Sequence, residues 1–108
     1  QGITDVVRGA DLLDSTPRQI WLQRLLGYPT PSYLHVPVMV NEVGQKLSKQ
    51  TLAAPVDPAD PIPTLRKVLQ LLDQSDQETD NLSEFWRTAI ATWNPRQIQR
   101  RSSVVICE

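Results

Sequence analysis

Blocks of hydrophobic residues separated by polar turns run along the chain, and the first blocks predict a strand, a helix and a second strand. Residues 3–8 are mostly β-branched or apolar and end at a glycine turn, which is typical of a strand. A helix start follows, with Thr16 predicted as the N-cap and Pro17 as the first helical residue. Apolar residues at helical spacing predict a broad apolar face: Ile20, Trp21, Leu22, Leu25 and Leu26. A nearly continuous apolar run over residues 33–40 then predicts a second strand that is covered on both faces.

This strand–helix–strand pattern is one βαβ unit, and its two strands are expected to be parallel with a right-handed connection. A turn follows over residues 41–44, where Gly44 is predicted to take a positive φ. One such unit leaves the edges of its sheet unpaired. We therefore expect an α/β fold in which residues 1–53 are a βαβ piece of a larger doubly wound sheet. We also expect the isolated chain to self-associate through the exposed sheet edges.

The composition changes after residue 53. Residues 54–63 contain four prolines, which predict a stiff, extended connector. Residues 64–108 are then predicted to be a small α-helical region. Its first helix is expected to be capped by Thr64 and to bury an apolar stripe at helical spacing, which consists of Leu65, Val68, Leu69 and Leu72.

A second helix is predicted after the polar loop that ends near residue 81. Asn81 and Glu84 have the spacing of a capping box, with Ser83 as the alternative cap. The sequence Asn94–Pro95 is expected to end the helix. The apolar residues of this helix are Phe85, Trp86, Ala89, Ile90 and Trp93. We expect both tryptophans to pack in the core rather than to stack on bases.

Charge and cysteine content limit the class of protein. The chain has 108 residues and a formal net charge of -1, so any contact with nucleic acid must be local. Arg96, Arg100 and Arg101 form one basic cluster, which either contacts RNA phosphate or is a solvated tail. The single cysteine, Cys107, excludes a disulfide framework and favours a reducing compartment such as the cytoplasm. No apolar run approaches the roughly 20 residues that cross a bilayer, so we expect no membrane contact.

The strongest candidate for chemistry is Lys46–Gln50, the sequence Lys-Leu-Ser-Lys-Gln, in a loop just after the second predicted strand. Its two lysines lie three residues apart with a small hydroxyl between them. A loop anchored by a buried strand carries such cations to a fixed place while still moving. Negative charge builds on a phosphate as it is transferred, and mobile cations suit that task. The alternative for an isolated pair of lysines is a solvated loop.

Three further residues are candidates near the ends of the two predicted strands. Arg8 lies where ligands collect on doubly wound sheets, and a guanidinium binds a carboxylate through two hydrogen bonds. Its alternative is a structural pair with Asp11 or Asp5. Asp11 either accepts from a ribose hydroxyl or holds the turn. His35 is not expected to be a general base, because it lies in an apolar strand with no convergent partner.

Four blocks in sequence order carry a family resemblance: residues 3–13, 15–19, 34–37 and Lys46–Gln50. Together they resemble the glutamyl branch of the class I aminoacyl-tRNA synthetases, and the last block is similar to the KMSKS loop of that class. Its final glutamine and the short region after it most resemble the glutamyl-queuosine tRNA(Asp) synthetases, which have no anticodon-binding domain. A segment of an ordinary glutamyl-tRNA synthetase is one alternative. A non-catalytic RNA-binding or interaction module on the same scaffold is another.

The resemblance implies a C-terminal piece of an ATP-dependent ligase with a Rossmann-like catalytic domain, which activates glutamate as glutamyl-adenylate. Glutamate then passes to the queuosine base in the anticodon region of tRNA(Asp). ATP with Mg²⁺ would be the co-substrate. By the same resemblance, Arg8 binds glutamate, Lys49 contacts ATP phosphate, Lys46 assists, and Leu47, Ser48 and Gln50 complete the ATP-binding loop.

Several features of a complete synthetase are absent from this sequence. It has no HIGH-type signature, no N-terminal glutamate-binding loop and no Cys/His cluster, so any zinc would bind in a missing N-terminal part. The adenylate pocket also needs the rest of the sheet. We therefore expect the isolated 108-residue chain to be catalytically inactive.

Overall fold

The computed structural model describes residues 1–48 and 52–107, which contain three α-helices and two pairs of parallel strands. In chain order the elements are β1 (Asp5–Gly9), α1 (Thr16–Leu25), β2 (Ser32–Val36), β3 (Val38–Val40), α2 (Pro61–Leu71), α3 (Leu82–Thr92) and β4 (Ser103–Val105). A 3-10 helix, Ala10–Ser15, joins β1 directly to α1. The α/β class is therefore confirmed.

The N-terminal half forms the predicted βαβ unit. β1 and β2 are parallel neighbours, with Arg8 opposite His35 and Gly9 opposite Val36. The carboxyl ends of both strands therefore lie at the same edge of the sheet. That shared edge places Arg8 and His35 side by side.

The predicted single strand over residues 33–40 is wrong, because Pro37 divides it into β2 and β3. Proline has no backbone N–H and a fixed φ, so it interrupts a ladder of hydrogen bonds. The two halves also have different partners: β2 pairs with β1, whereas β3 pairs in parallel with β4. β4 lies in the region predicted to be helical and returns the end of the chain to the strand that precedes the lysine loop. Most side chains of β2 and β3 are only partly buried.

Two predicted helix caps are wrong, because Thr16 and Thr64 both lie inside their helices rather than before them. Ser15 has helical angles, with φ -82° and ψ -19°, so the predicted cap Thr16 is the first residue of α1 instead. α2 begins at Pro61, before the predicted cap Thr64, and Asp60 occupies its N-cap position. Proline is accepted in a first helical turn because the N–H that it lacks has no partner there.

α2 and α3 pack against each other around Phe85, whose surface is 1% exposed. Leu69 and Ala89 are buried beside it, and Ile62 and Leu65 pack against this cluster. The predicted cap Asn81 is confirmed, since its side-chain oxygen accepts from the Glu84 N–H at 2.9 Å.

The prediction that Trp86 and Trp93 pack in the core is wrong. Trp86 is 48% exposed and Trp93 is 41% exposed. They line an open apolar groove of about 340 Å³ between α2 and α3. Phe85 and Ala89 occupy the side of α3 that meets α2, which leaves the tryptophans at its margin.

Within residues 1–48 and 52–107, no helix has both the length and the apolar character needed to cross a membrane.

Candidate functional site

The Arg8 side chain is held at the carboxyl end of β1 by three groups. Its Nη2 donates to Thr16 Oγ1 at 2.8 Å, and its Nε donates to His35 Nε2 at 3.5 Å. The guanidinium carbon lies 5.3 Å from the centre of the Tyr33 ring, which is the geometry of a cation–π contact. In the described ranges neither Asp5 nor Asp11 is within salt-bridge distance of Arg8. The structural alternative, an ion pair with one of these aspartates, is therefore wrong.

His35 does have convergent partners, contrary to the expectation from sequence. Its Nε2 lies 2.8 Å from Thr16 Oγ1 as well as facing Arg8. Its ring is stacked on Tyr33, with centroids 6.0 Å apart and planes 8° apart. Tyr33 and His35 are two residues apart on β2 and therefore share one face of the sheet. Both rings therefore contact the Arg8 guanidinium from the same face of the sheet.

Thr16 links the helix to both strands. Its side chain is buried. It lies in the first turn of α1, and its hydroxyl is also 3.3 Å from the carbonyl oxygen of Leu12. The failed cap prediction thus has a positive explanation: the hydroxyl binds Arg8 and His35 rather than the backbone N–H groups of the helix.

Lys46 is anchored to the same edge of the protein by an ion pair. Its Nζ lies 2.7 Å from Asp11 Oδ2. The backbone of Lys46 forms a β-bridge with Val40, and the Leu47 N–H donates to the Met39 carbonyl oxygen at 2.9 Å. The loop therefore leaves β3, turns at Gly44 with a φ of 80° as predicted, and returns beside the strand. Its first lysine reaches the 3-10 helix that follows β1.

The ion pair changes the titration of Asp11. The hydrogen bond from Lys46 lowers the pKa of the Asp11 carboxyl below its ordinary value, and the charge of Lys46 adds to this effect. Asp11 thus carries a negative charge at neutral pH and holds the start of the loop. Its predicted ribose contact remains a prediction.

Gly9 makes the close approach of Asp11 possible. A Cβ at this position would lie 2.4 Å from Asp11 Oδ1 and 2.9 Å from Val38 Cγ1. Both distances are well below van der Waals contact. The glycine at the end of β1 therefore leaves the space in which the Asp11 carboxylate meets Lys46.

The rest of the predicted ATP-binding loop is described only in part. Leu47 and Ser48 are partly buried. Lys49 and Gln50, which complete the predicted loop, lie outside the described residues.

Two other features were considered as candidate sites, the basic cluster near the C-terminus and a possible metal site. Arg96, Arg100 and Arg101 are exposed near the C-terminal strand, and their contact with RNA stays a prediction. Among the described residues, no group of three or more His, Cys, Asp or Glu side chains has the arrangement of a metal site.

Thr16, Tyr33 and His35 are the site residues that sequence reasoning missed. Pro37 was the available signal. Once this proline ends the second strand at Val36, aligning the carboxyl ends of the two parallel strands places His35 opposite Arg8. The same alternation then puts Tyr33 on the face of His35.

Comparison with known proteins shows which family this chain is similar to. The family model of class I tRNA synthetases (E and Q), catalytic domain, matches residues 1–69. A glutamyl-Q tRNA(Asp) synthetase of Janthinobacterium sp. (strain Marseille) is 54% identical over 99 residues, which is 92% of this chain and 34% of that protein. Its counterpart in Aromatoleum aromaticum is 53% identical over 105 residues, covering 91% of this chain and 33% of that protein.

A solved structure shares the fold. The crystal structure of a glutamate-tRNA synthetase from Elizabethkingia anophelis matches 97% of this chain and 25% of its own, with a TM-score of 0.68 and 19% identity. The chain spans about a third of the length of the curated relatives described above. Because the family model covers well over half of the chain, these residues belong to the class I tRNA synthetases of the E and Q type, in their catalytic domain.

Proposed function

We propose that this chain is part of an ATP-dependent ligase that activates glutamate as glutamyl-adenylate and transfers it to the queuosine base of tRNA(Asp). The observation that carries the proposal is the Arg8 guanidinium, held at the carboxyl end of two parallel strands with no carboxylate of the described residues paired to it. Ligands of open α/β sheets bind at this edge. Membership of the family, and the names of its similar relatives, support the same reading.

The role proposed for each residue rests on the family resemblance, and the charge of each residue supports it. In the first step a carboxylate oxygen of glutamate attacks the α-phosphorus of ATP, the bond to pyrophosphate breaks, and pyrophosphate leaves. Arg8 binds a carboxylate of glutamate, because its planar fork matches two oxygens. Lys46 and Lys49 stabilise the negative charge that develops on the phosphates, with Ser48, Leu47 and Gln50 shaping the loop. Mg²⁺ accompanies ATP as co-substrate.

The second step transfers glutamate to RNA. A hydroxyl of the queuosine base attacks the glutamyl carbonyl, and AMP is the leaving group. The anticodon region of tRNA(Asp) is therefore the proposed partner. The proposed compartment is the cytoplasm, where a free cysteine such as Cys107 stays reduced.

The isolated chain is proposed to be inactive. β1 and β2 form a two-stranded sheet in the described residues, whereas an adenylate pocket in a doubly wound sheet lies between several strands. The same open edges are the basis for the proposed self-association of the isolated chain.

The test is glutamate-dependent exchange between ATP and pyrophosphate, measured on the full-length gene product. We expect Arg8→Gln to lower kcat/KM for glutamate by about a hundredfold, because a charged hydrogen bond contributes about 3 kcal/mol at most. Arg8→Lys should lose most of the same activity, since an ammonium lacks the fork. Lys49→Ala should lower kcat by about a hundredfold or more. Arg18→Gln, at an exposed position of α1, is the matched control and should keep full activity.

The acceptor is tested separately. Labelled glutamate is offered with tRNA(Asp) that contains queuosine, with tRNA(Asp) that lacks it, and with tRNA(Glu). Labelling of the first alone supports the proposal. Labelling of tRNA(Glu) would instead show an ordinary glutamyl-tRNA synthetase, and failure to activate glutamate at all would favour a non-catalytic module.

A further inference from the structure

The Arg8 side chain uses a particular edge of its guanidinium in its internal contacts. Nε donates to His35 Nε2 and Nη2 donates one hydrogen to Thr16 Oγ1. A guanidinium has five N–H donors, two on each terminal nitrogen and one on Nε. The edge formed by Nε and Nη2 is therefore occupied. Among residues 1–48 and 52–107, no acceptor binds the two hydrogens of Nη1 or the second hydrogen of Nη2.

The groups on the occupied edge are neutral. Thr16 contributes a hydroxyl and His35 a ring nitrogen, while the face of Tyr33 lies 5.3 Å from the guanidinium carbon. A carboxylate on that edge would have compensated the positive charge. Neutral acceptors fix the orientation and leave the charge of Arg8 available for another anion.

One His35 nitrogen faces both Arg8 and Thr16. His35 Nε2 accepts from Arg8 Nε at 3.5 Å and lies 2.8 Å from Thr16 Oγ1. The Thr16 oxygen accepts from Arg8 Nη2, and its hydroxyl also faces the Leu12 carbonyl oxygen at 3.3 Å. The three side chains form one consistent network, anchored at the buried Thr16.

We propose that Thr16, His35 and Tyr33 are positioning residues that fix the Arg8 guanidinium so that glutamate binds end-on, through Nη1 and Nη2. This inference rests on the proposed role of Arg8 in binding glutamate. The network acts through Arg8 and does not itself touch the substrate. Loss of the hydrogen bonds from this network to Arg8 raises KM for glutamate and leaves KM for ATP unchanged.

Thr16 offers the sharpest test, because valine keeps the shape of threonine without its hydroxyl, whereas serine keeps the hydroxyl and loses only a methyl group. In the full-length gene product, Thr16→Val removes the hydroxyl and should raise KM for glutamate about tenfold, the effect of one hydrogen bond to a charged group. Thr16→Ser keeps the hydroxyl and should stay within about twofold of the wild type. An equal rise of KM in both variants, or no rise in Thr16→Val, would overturn the proposal.

His35 and Tyr33 supply independent controls. His35→Gln places an amide oxygen in reach of Arg8 and should restore most of the affinity that His35→Leu loses. Tyr33→Phe keeps the aromatic face and should leave KM for glutamate unchanged, whereas Tyr33→Leu should raise it. Unchanged KM in both leucine variants would contradict the network.

A spectroscopic measurement separates this proposal from the proposed function. The Nε–H of Arg8 donates to His35, so its resonance should be protected from solvent exchange in the wild-type protein and in His35→Gln, and should lose that protection in His35→Leu. This result supports the network even if the protein fails to activate glutamate, which would refute the proposed function alone. Equal protection in all three proteins overturns the network.

Discussion

At the scale of single residues, the ion pair between Asp11 and Lys46 makes a definite prediction about pH. The hydrogen bond from Lys46 lowers the pKa of Asp11 in the folded protein, so the pair stabilises the fold at pH values above the unfolded pKa of about 3.9. This contribution is lost as the pH falls through the lower, folded pKa. In an NMR titration of the Asp11 carboxyl carbon, Lys46→Met should move the midpoint up towards its ordinary value.

The control for this titration is Lys67→Met, which removes an exposed lysine from α2 and should leave the Asp11 midpoint unchanged. Added salt should shift the wild-type midpoint upwards, because the pair is open to solvent and therefore screened. Coincident titration curves for the wild type and Lys46→Met would show that Lys46 does not hold the carboxyl.

The sequence predicted single site residues where local pattern was enough. Arg8 is a predicted site residue because it lies at a strand end, and the lysine loop is predicted because two cations follow an apolar run. Thr16 and His35 were missed because their role depends on a contact across 19 residues. Local rules for threonine before proline favour a cap, and they contain no information about an arginine on the neighbouring strand.

At the scale of elements, the pair of helices α2 and α3 depends on one side chain. Phe85 is 1% exposed, so Phe85→Ala should destabilise the pair by about 3–5 kcal/mol through lost burial and the remaining cavity. Hydrogen exchange of α2 and α3 amides in the full-length protein measures this change. Trp86→Ala, next to it but 48% exposed, is the matched control and should cost clearly less. Equal effects would mean that the groove, rather than Phe85, holds the helices together.

Element boundaries were predicted well where a side chain or a turn decides them. The cap at Asn81 and the turn at Gly44 follow from local chemistry and are confirmed. Pro37 and Pro61 were misjudged in opposite directions: one breaks a strand, and the other begins a helix. β4 was not predicted because its three residues gain their structure from pairing with β3, which lies more than 60 residues earlier in the chain.

At the scale of the whole molecule, much apolar surface lacks a partner in the described residues. Four of the five residues predicted to form the apolar face of the first helix are each more than half exposed: Trp21, Leu22, Leu25 and Leu26. Within the part of the chain that the structure describes, β1 and β2 are each paired on one edge only. The α/β class was predictable because hydrophobic periodicity is a local property of the sequence. Burial of these apolar faces was not predictable in the same way, because it depends on packing partners that the described residues do not supply.

These open edges lead to the prediction that the isolated 108-residue chain self-associates. Unpaired N–H and C=O groups of an edge strand form hydrogen bonds with a second copy, and charged side chains on the strand oppose this pairing. In sedimentation velocity, the weight-average coefficient should rise with concentration. Val7→Lys, at a 64% exposed position of β1, should reduce that rise, while Thr4→Lys, just before the strand, should not. Association that persists unchanged in Val7→Lys would place the contact on the apolar face of α1, and a monomer at every concentration would refute it.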